Sequence, residues 1–302
     1  MLVDMRAARD LTTRELTPAD AAEVTELIAA CEVADSGVAL IELEDIVADW
    51  KRPGFTMSQQ TIGYFDDARM AACGEVHRSR SESYVHPAYR DAGIGTELVL
   101  WSQRTAVALG YGQVGQTVNE QNTAAVSLFE RHGYPRLYSS WVLELPPETE
   151  IAPVELGDGY GLRGVEGAWD ERAAYDVIEG AFSVWPDRED RTFEDWSTTT
   201  TRRDDYEPWH LSLAIGPGEQ VAGACYASPV GDIGWVDQVA VVEAHRGRGL
   251  AQALLVRAFE LTREHGAPRA QLNTDSRTGA LGLYEHVGMR VVDTFVHFAR
   301  VL

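Results

Sequence analysis

A chain of 302 residues, 45% of them hydrophobic and 8 of them Trp, is long enough for two ordinary domains with buried cores, which excludes extended disorder. Its formal net charge of −21 would repel a phosphate backbone, so the sequence predicts no nucleic-acid partner, and it would attract a cationic small substrate. The longest apolar runs, such as Val99–Trp101 and Val239–Val242, fall far short of the roughly 20 residues of a membrane helix, so no membrane partner is expected.

The first predicted helix covers 18–31, with Pro18 early and Asp20 and Glu23 in its first turn. Two strands follow, Thr61–Phe65 and Arg69–Val76, around the turn Asp66-Asp67. Further on, a strand runs into a glycine turn (Gly93, Gly95) and a long helix. Pro146, Pro147 and Pro153 surround the acidic stretch Glu148–Glu150 and read as an extended linker. The order then starts again. A helix at 168–182 precedes the strands Leu211–Ile215 and Val221–Ser228 around Gly216–Gly218. A strand then enters a second glycine turn and a helix with Leu250, Leu254, Ala258 and Leu261 on one face and Arg257, Glu260, Arg263 and Glu264 opposite. Gly266 and Pro268 stop that helix. The strand Ala270–Thr274, a short helix Thr278–Val287 and a last strand Arg290–Phe298 complete the second half. The fold class is α/β (α+β), a mixed sheet covered by helices and built twice. The domains are expected at 1–148 and 156–302.

The halves are copies of one another. SYVHPAYRDAGIGTELVLWSQRTAVALG corresponds to QVAVVEAHRGRGLAQALLVRAFELTREHG. Arg90 pairs with Arg246, Gly93 with Gly249 and Gly95 with Ala251, each at a separation of 156 (246 − 90, 249 − 93, 251 − 95). SLFERHGY and GLYEHVGM keep the order at 155 (Gly288 − Gly133). The shared element is strand, Arg-x-x-Gly-x-Gly/Ala, helix. Glycines let the backbone turn sharply and approach a ligand, and the first N–H groups of the helix are left aimed outward. With the helix dipole, that makes a pyrophosphate site. The spacing is neither that of the dinucleotide fingerprint nor that of the P-loop.

Both halves resemble the GNAT superfamily of acyl-CoA-dependent N-acetyltransferases, over nearly the whole chain. The tandem arrangement is similar to that of mycothiol synthase and of two-domain actinobacterial acetyltransferases, through DSRTGALGLYEHVGMRVV and GWVDQVAVVEAHRGRGLA. The resemblance implies two tandem GNAT domains, each a mostly antiparallel sheet with one parallel, splayed strand pair that holds acetyl-CoA. It implies cofactor contacts from Val239, Ala240 and Val241 through the strand backbone, and from Arg246, Gly247, Arg248, Gly249, Leu250 and Ala251 in the turn. Ser276 is a further candidate. In the first copy the corresponding candidates are Val85, Arg90, Gly93, Ile94, Gly95 and Asn122. The family's asparagine before the short helix is matched by Asn122 but not in the second copy, which has Arg277 there with Ser276 alongside.

Amide formation from a thioester requires a neutral amine, although an alkyl ammonium titrates near roughly 10. A carboxylate can take that proton, and a phenol can protonate the leaving thiolate. Tyr284 stands where the family carries its phenol, and the first copy has Phe129. Asp237 lies on the strand before the second turn, and its partner by offset is Ser81 (237 − 156). The second copy is therefore expected to be catalytic, and the first a degenerate cofactor-binding or structural copy. Read structurally instead, Tyr284 packs the short helix and Asp237 is a strand-edge carboxylate.

The acceptor is expected to meet Trp169–Trp185, Asp187–Asp190 and Tyr206–Trp209, whose aromatic and acidic character suits a cationic, partly apolar amine. Small-molecule amine acetylation is the favoured reading. The alternatives are a peptide amine (against which a pocket roofed by Trp185 and Trp209 would count), the cysteinyl pseudodisaccharide amine of a mycothiol-synthase-like enzyme, and a non-catalytic acyl-CoA-binding module. Cys31, Cys73 and Cys225 form no CxxC pair, so neither disulfides nor a metal site are expected. Asp4, Arg6, Arg9 and Asp10 interrupt any secretion signal, which makes cytoplasmic residence the expectation. Fused copies can imitate a dimer of single domains, leaving monomer or homodimer as the assembly.

Overall fold

The computed structural model describes residues 11–39, 41–52, 54–183 and 191–302. The chain divides into two compact units, Met1–Ser140 with Asp293–Leu302, and Trp141–Val292. No helix among the described residues is long and apolar enough to cross a membrane.

In chain order, unit 1 contains β1 (Thr12–Arg14), α1 (Ala21–Ser36), α2 (Leu43–Trp50), α3 (Met57–Gln60), β2 (Thr61–Asp66), β3 (Arg69–His77), β4 (Arg80–Val85), α4 (Ile94–Ala108), β5 (Gln113–Asn119) and α5 (Thr123–Arg131). The strand β6 (Arg136–Leu145) passes from unit 1 to unit 2 after Ser140. Unit 2 continues with β7 (Gly161–Gly164), α6 (Ala168–Phe182), α7 (Phe193–Thr198), β8 (Leu211–Ile215), β9 (Val221–Val230), β10 (Ile233–Val241), α8 (Leu250–Glu264), β11 (Arg269–Asp275) and α9 (Leu281–His286). The last strand, β12 (Arg290–Val301), returns to unit 1 from Asp293 onward.

In unit 1 the strand order is β1-β2-β3-β4-β5-β12, antiparallel except for β4 and β5. In unit 2 it is β6-β11-β10-β9-β8-β7, with β10 and β11 parallel and the β7, β8, β9 and β10 pairings antiparallel. A mixed, mostly antiparallel sheet with flanking helices is thus present, as the sequence predicts.

Helices cover both faces of the unit 2 sheet because its strands are apolar on both sides. On one face Leu254, Leu255 and Phe259 of α8 pack on Cys225, Ala227 and Leu272, with Tyr284 and Met289 beside them. On the other, Ile178 of α6 and Trp196 of α7 cover Leu211, Leu213, Ala224 and Tyr226. The apolar stripe of α8 is wider than the sequence pattern suggests, since Ala253, Leu255, Val256, Phe259 and Thr262 are buried as well. Arg257, expected on the solvent side, is partly buried, and its Nε has no hydrogen-bond partner. The proline-rich segment after β6 has no regular structure and is fastened to α8 by Arg263, whose guanidinium donates to the carbonyls of Pro146 and Thr149, both at 3.0 Å.

Candidate active site

The parallel pair β10–β11 is in register only from Ile233↔Arg269 to Val236↔Leu272. Beyond Val236, β10 stays paired with β9 on its other side, through Gln238↔Tyr226 to Val241↔Gly223. The edge of β10 that faced β11 is therefore free of strand partners from Asp237 to Val241, and its backbone groups can meet an extended amide chain. Asp237 sits at the point of separation. It has no partner on β9, because the register shifts between Val236 and Gln238, so it forms a β-bulge. Such an extra residue turns its side chain away from the regular alternation.

The Asp237 side chain keeps contact with solvent, yet the recess around it strips enough water to push its carboxyl up to about 6. Ser228 Oγ donates to its Oδ2 at 3.4 Å, and the Arg203 guanidinium is near, both favouring the charged form and losing to desolvation. Arg203 is itself tied to Asp205 at 2.7 and 2.8 Å. A carboxyl poised near neutrality suits proton uptake from an ammonium. Next on the strand, Gln238 is anchored by Trp196 Nε1 at 2.9 Å.

Tyr284 lies on α9, 7% exposed, on the same face of the sheet as Cys225. Burial raises its phenol above the ordinary value, and the neighbouring Thr274 side chain opposes the rise. It is therefore protonated over the whole neutral range. Thr274 is held in turn by Thr278 at 3.0 Å, and Thr278 donates to the Asp275 carbonyl at 2.7 Å. Cys225, the partner of Val239 on β9, packs in the same core cluster as Tyr284 and lies within reach of the Asp237 charge. Burial pushes its thiol up to about 12, so it stays neutral and unreactive.

The glycine turn follows β10 directly. Arg246 folds back so that its Nε donates to the Val241 carbonyl at 3.1 Å. Gly247 (φ 72°) and Gly249 (φ 77°) both adopt the left-handed region, where a side chain would be strained. Gly249 is the residue before α8 and offers no side chain to cap the helix, so the N–H groups of Leu250, Ala251 and Gln252 have no intrahelical partner. Arg248 lies over the Tyr160 ring at 5.7 Å, and Tyr160 Oη meets His245 Nδ1 at 2.9 Å. Leu250 is buried, while Val239 and Ala251 are partly buried. Ala240 points into the core under α6, so only its backbone can face a ligand. Ser276 and Arg277 lie exposed in the turn after β11, with Arg277 bound to Asp275 at 2.7 Å.

A family model for acetyltransferases of the GNAT family matches residues 27–134 and again 171–289. The chain belongs to the GNAT acetyltransferase family. Across 288 residues it is 28% identical to a mycothiol acetyltransferase of Thermobispora bispora, which spans 90% of this chain and 93% of that one. A GCN5-related N-acetyltransferase from Sphaerobacter thermophilus superposes with a TM-score of 0.80 at 30% identity, over 100% of this chain and 97% of the other. A tandem GNAT protein from the clavulanic acid biosynthesis pathway shares the fold, with a TM-score of 0.72 at 15% identity over 96% and 98% of the two chains. GNAT enzymes generally use acetyl-CoA. In unit 2 the residues fit such a group: an unpaired strand edge, a turn in which two glycines hold φ values that disfavour side chains, and free N–H groups at its end.

Trp209 stacks on His265 at 4.1 Å, beside the C-terminal end of the 15-residue helix α8 and so roughly 20 Å from the glycine turn. Trp169 is 66% exposed, and Trp185 and Asp187–Asp190 lie outside the described residues. Among the described residues no cluster of His, Cys, Asp or Glu could hold a metal ion. Missing from the sequence reading were Ser228, Arg203 and Thr274, whose roles depend on strand register that no local pattern encodes.

Proposed function

We propose that unit 2 transfers the acetyl group of acetyl-CoA to a primary amine of a small molecule. The observation that carries this reading is the parting of β10 and β11 at Asp237, with the Tyr284 phenol on the neighbouring helix. The thioester supplies an activated acyl carbon and a thiolate leaving group. Backbone groups of Val239 and Val241 would hold the pantetheine arm, and the N–H groups at Arg246–Ala251 the pyrophosphate. Asp237 takes the proton that the attacking nitrogen must lose as the C–N bond forms. Tyr284 gives its proton to the sulfur as the C–S bond breaks, and bulk solvent resets both groups. Ser228 orients the carboxylate and Thr274 the phenol.

Likeness to a mycothiol acetyltransferase over nearly the full length supports a second reading, in which the acceptor is the amine acetylated by such enzymes. Thiol release from acetyl-CoA, followed with a panel of amines that includes this acceptor and short peptides, separates the two. Turnover with a small amine supports the first reading. Acetyl-CoA binding without acetylation of any amine would make the protein a binding module.

A further inference from the structure

We infer that unit 1 has filled its own cofactor cleft with side chains, with Asp35 as an internal substitute for the pyrophosphate, so that each chain takes up one acetyl-CoA rather than two. This rests on the reading of unit 2 as the cofactor site, since the cleft in unit 1 is located by its correspondence to that one.

Two contacts and one residue difference carry the inference. At the turn, the Asp35 carboxylate, near the end of α1, accepts from Arg90 Nη1 at 2.7 Å, from Arg90 Nη2 at 3.1 Å and from Asn122 Nδ2 at 2.9 Å. Arg90 and Asn122 flank the two sides of the cleft, one in the glycine turn and one at the start of α5. A carboxylate with three donors has little to gain from exchange with a phosphate, and a phosphate arriving there would meet negative charge. Arg246, the counterpart of Arg90, folds back onto the Val241 carbonyl at 3.1 Å.

Next along the cleft, Gln116 Nε2 of β5 donates to the Ser83 carbonyl of β4 at 3.0 Å. Ser83 corresponds to Val239 (239 − 83 = 156), whose backbone is proposed to hold pantetheine. The strands β4 and β5 are in register at one pair alone, Arg80↔Gly115, against four for β10 and β11. The gap therefore opens earlier in unit 1, and Gln116 spans it. The residue difference is Asp91, which corresponds to Gly247 (247 − 91 = 156). It holds the same left-handed conformation (φ 65° against 72°) but adds an exposed carboxylate beside the N–H groups of the turn. The catalytic positions agree: Ser81 is bound to Ser102 at 2.8 Å, and Phe129 is stacked on Phe298.

Wild-type protein titrated calorimetrically with acetyl-CoA should show one equivalent. Amide hydrogen exchange at a hundredfold excess over Kd should slow by up to about 100-fold at 247–252, and not at 91–96. Two equivalents, or slowing at 91–96, would overturn the closure of unit 1. Absence of any binding would leave unit 1 closed as inferred and count against unit 2 as the cofactor site. As a second arm, the paired change Asp35→Ala and Gln116→Ala should leave the equivalent bound by unit 2 untouched; loss of that equivalent would mean that the bound cofactor belongs to unit 1.

Discussion

Arg163 and Asp170 form a two-point ion pair at the start of α6, with N–O distances of 2.5 and 2.7 Å. Arg14 and Asp20 repeat it ahead of α1 at 2.8 and 2.7 Å. In each unit the carboxylate also accepts a backbone N–H, from Glu166 in one and Thr17 in the other. The pair is a mark of duplication that the motif comparison does not reach, because its spacing differs between copies (170 − 163 = 7, 20 − 14 = 6).

These pairs set an acid limit on stability. The Arg163 hydrogen bond holds the Asp170 carboxyl below its ordinary 3.8, and Arg14 does the same for Asp20. A depressed carboxyl contributes stability above its unfolded value, and the contribution fades as pH falls from about 4. Both arginines keep solvent contact, so Asp170→Asn should cost only about 1–2 kcal/mol at pH 7. Thermal midpoints should differ at pH 7 and draw together as pH falls below about 4; equal midpoints at pH 7 would show the pair to be idle.

Asp237 works in the opposite sense. Its carboxyl, pushed up to about 6 by the recess, favours the folded state when protonated, so that contribution is present at acid pH and lost as pH rises from about 4 through 6. Asp237→Asn should therefore melt slightly higher than wild type at pH 8 and hardly differently at pH 4. Its kcat/KM should fall and lose the rising limb near pH 6. A variant that keeps that limb assigns the base elsewhere.

For Tyr284→Phe, turnover should drop by about 100-fold with acetyl-CoA affinity nearly unchanged. Thr274→Val, which removes the partner of the phenol, should lower kcat by a smaller factor and leave KM for acetyl-CoA in place. Full turnover in Tyr284→Phe would reduce the tyrosine to a core residue by which α9 packs on the sheet.

The placement of β12 in unit 1 can be tested at Gly115. Its Cα lies so close to β12 that a Cβ there would stand 2.3 Å from the Phe298 carbonyl oxygen. Gly115→Ala should destabilise unit 1 by about 1–3 kcal/mol. Gly112→Ala, with nothing within 4 Å, is the control and should be nearly neutral. Equal melting of the two would contradict the tight seating of β12.

Local chemistry made the glycine turns, α6 and α8 readable: helix period, glycine spacing and stop signals are all carried by neighbouring residues. Long-range pairing was not readable. The alternation in Arg290–Phe298 says strand but names no sheet edge, and the strand ends in unit 1 beside β5. The bulge at Asp237 is a property of register and leaves no trace in composition. The short helix starts at Leu281 rather than Thr278 because Gly279 is left-handed (φ 65°) and the Thr278 hydroxyl is engaged by Asp275 and Ala280. Tyr284 stands out because the two copies differ there; Thr274 also differs from its counterpart Val118 (274 − 156), but its role depends on Tyr284 lying beside it in the fold.

Amine-dependent release of CoA from acetyl-CoA, measured in wild type, Gly249→Glu and Gly93→Glu, tests unit 2 as the working site most directly. A carboxylate in the turn blocks the pyrophosphate site by bulk and charge. Release should vanish in Gly249→Glu and persist in Gly93→Glu. Persistence in Gly249→Glu, with loss in Gly93→Glu or in neither, would contradict acetyl transfer by unit 2.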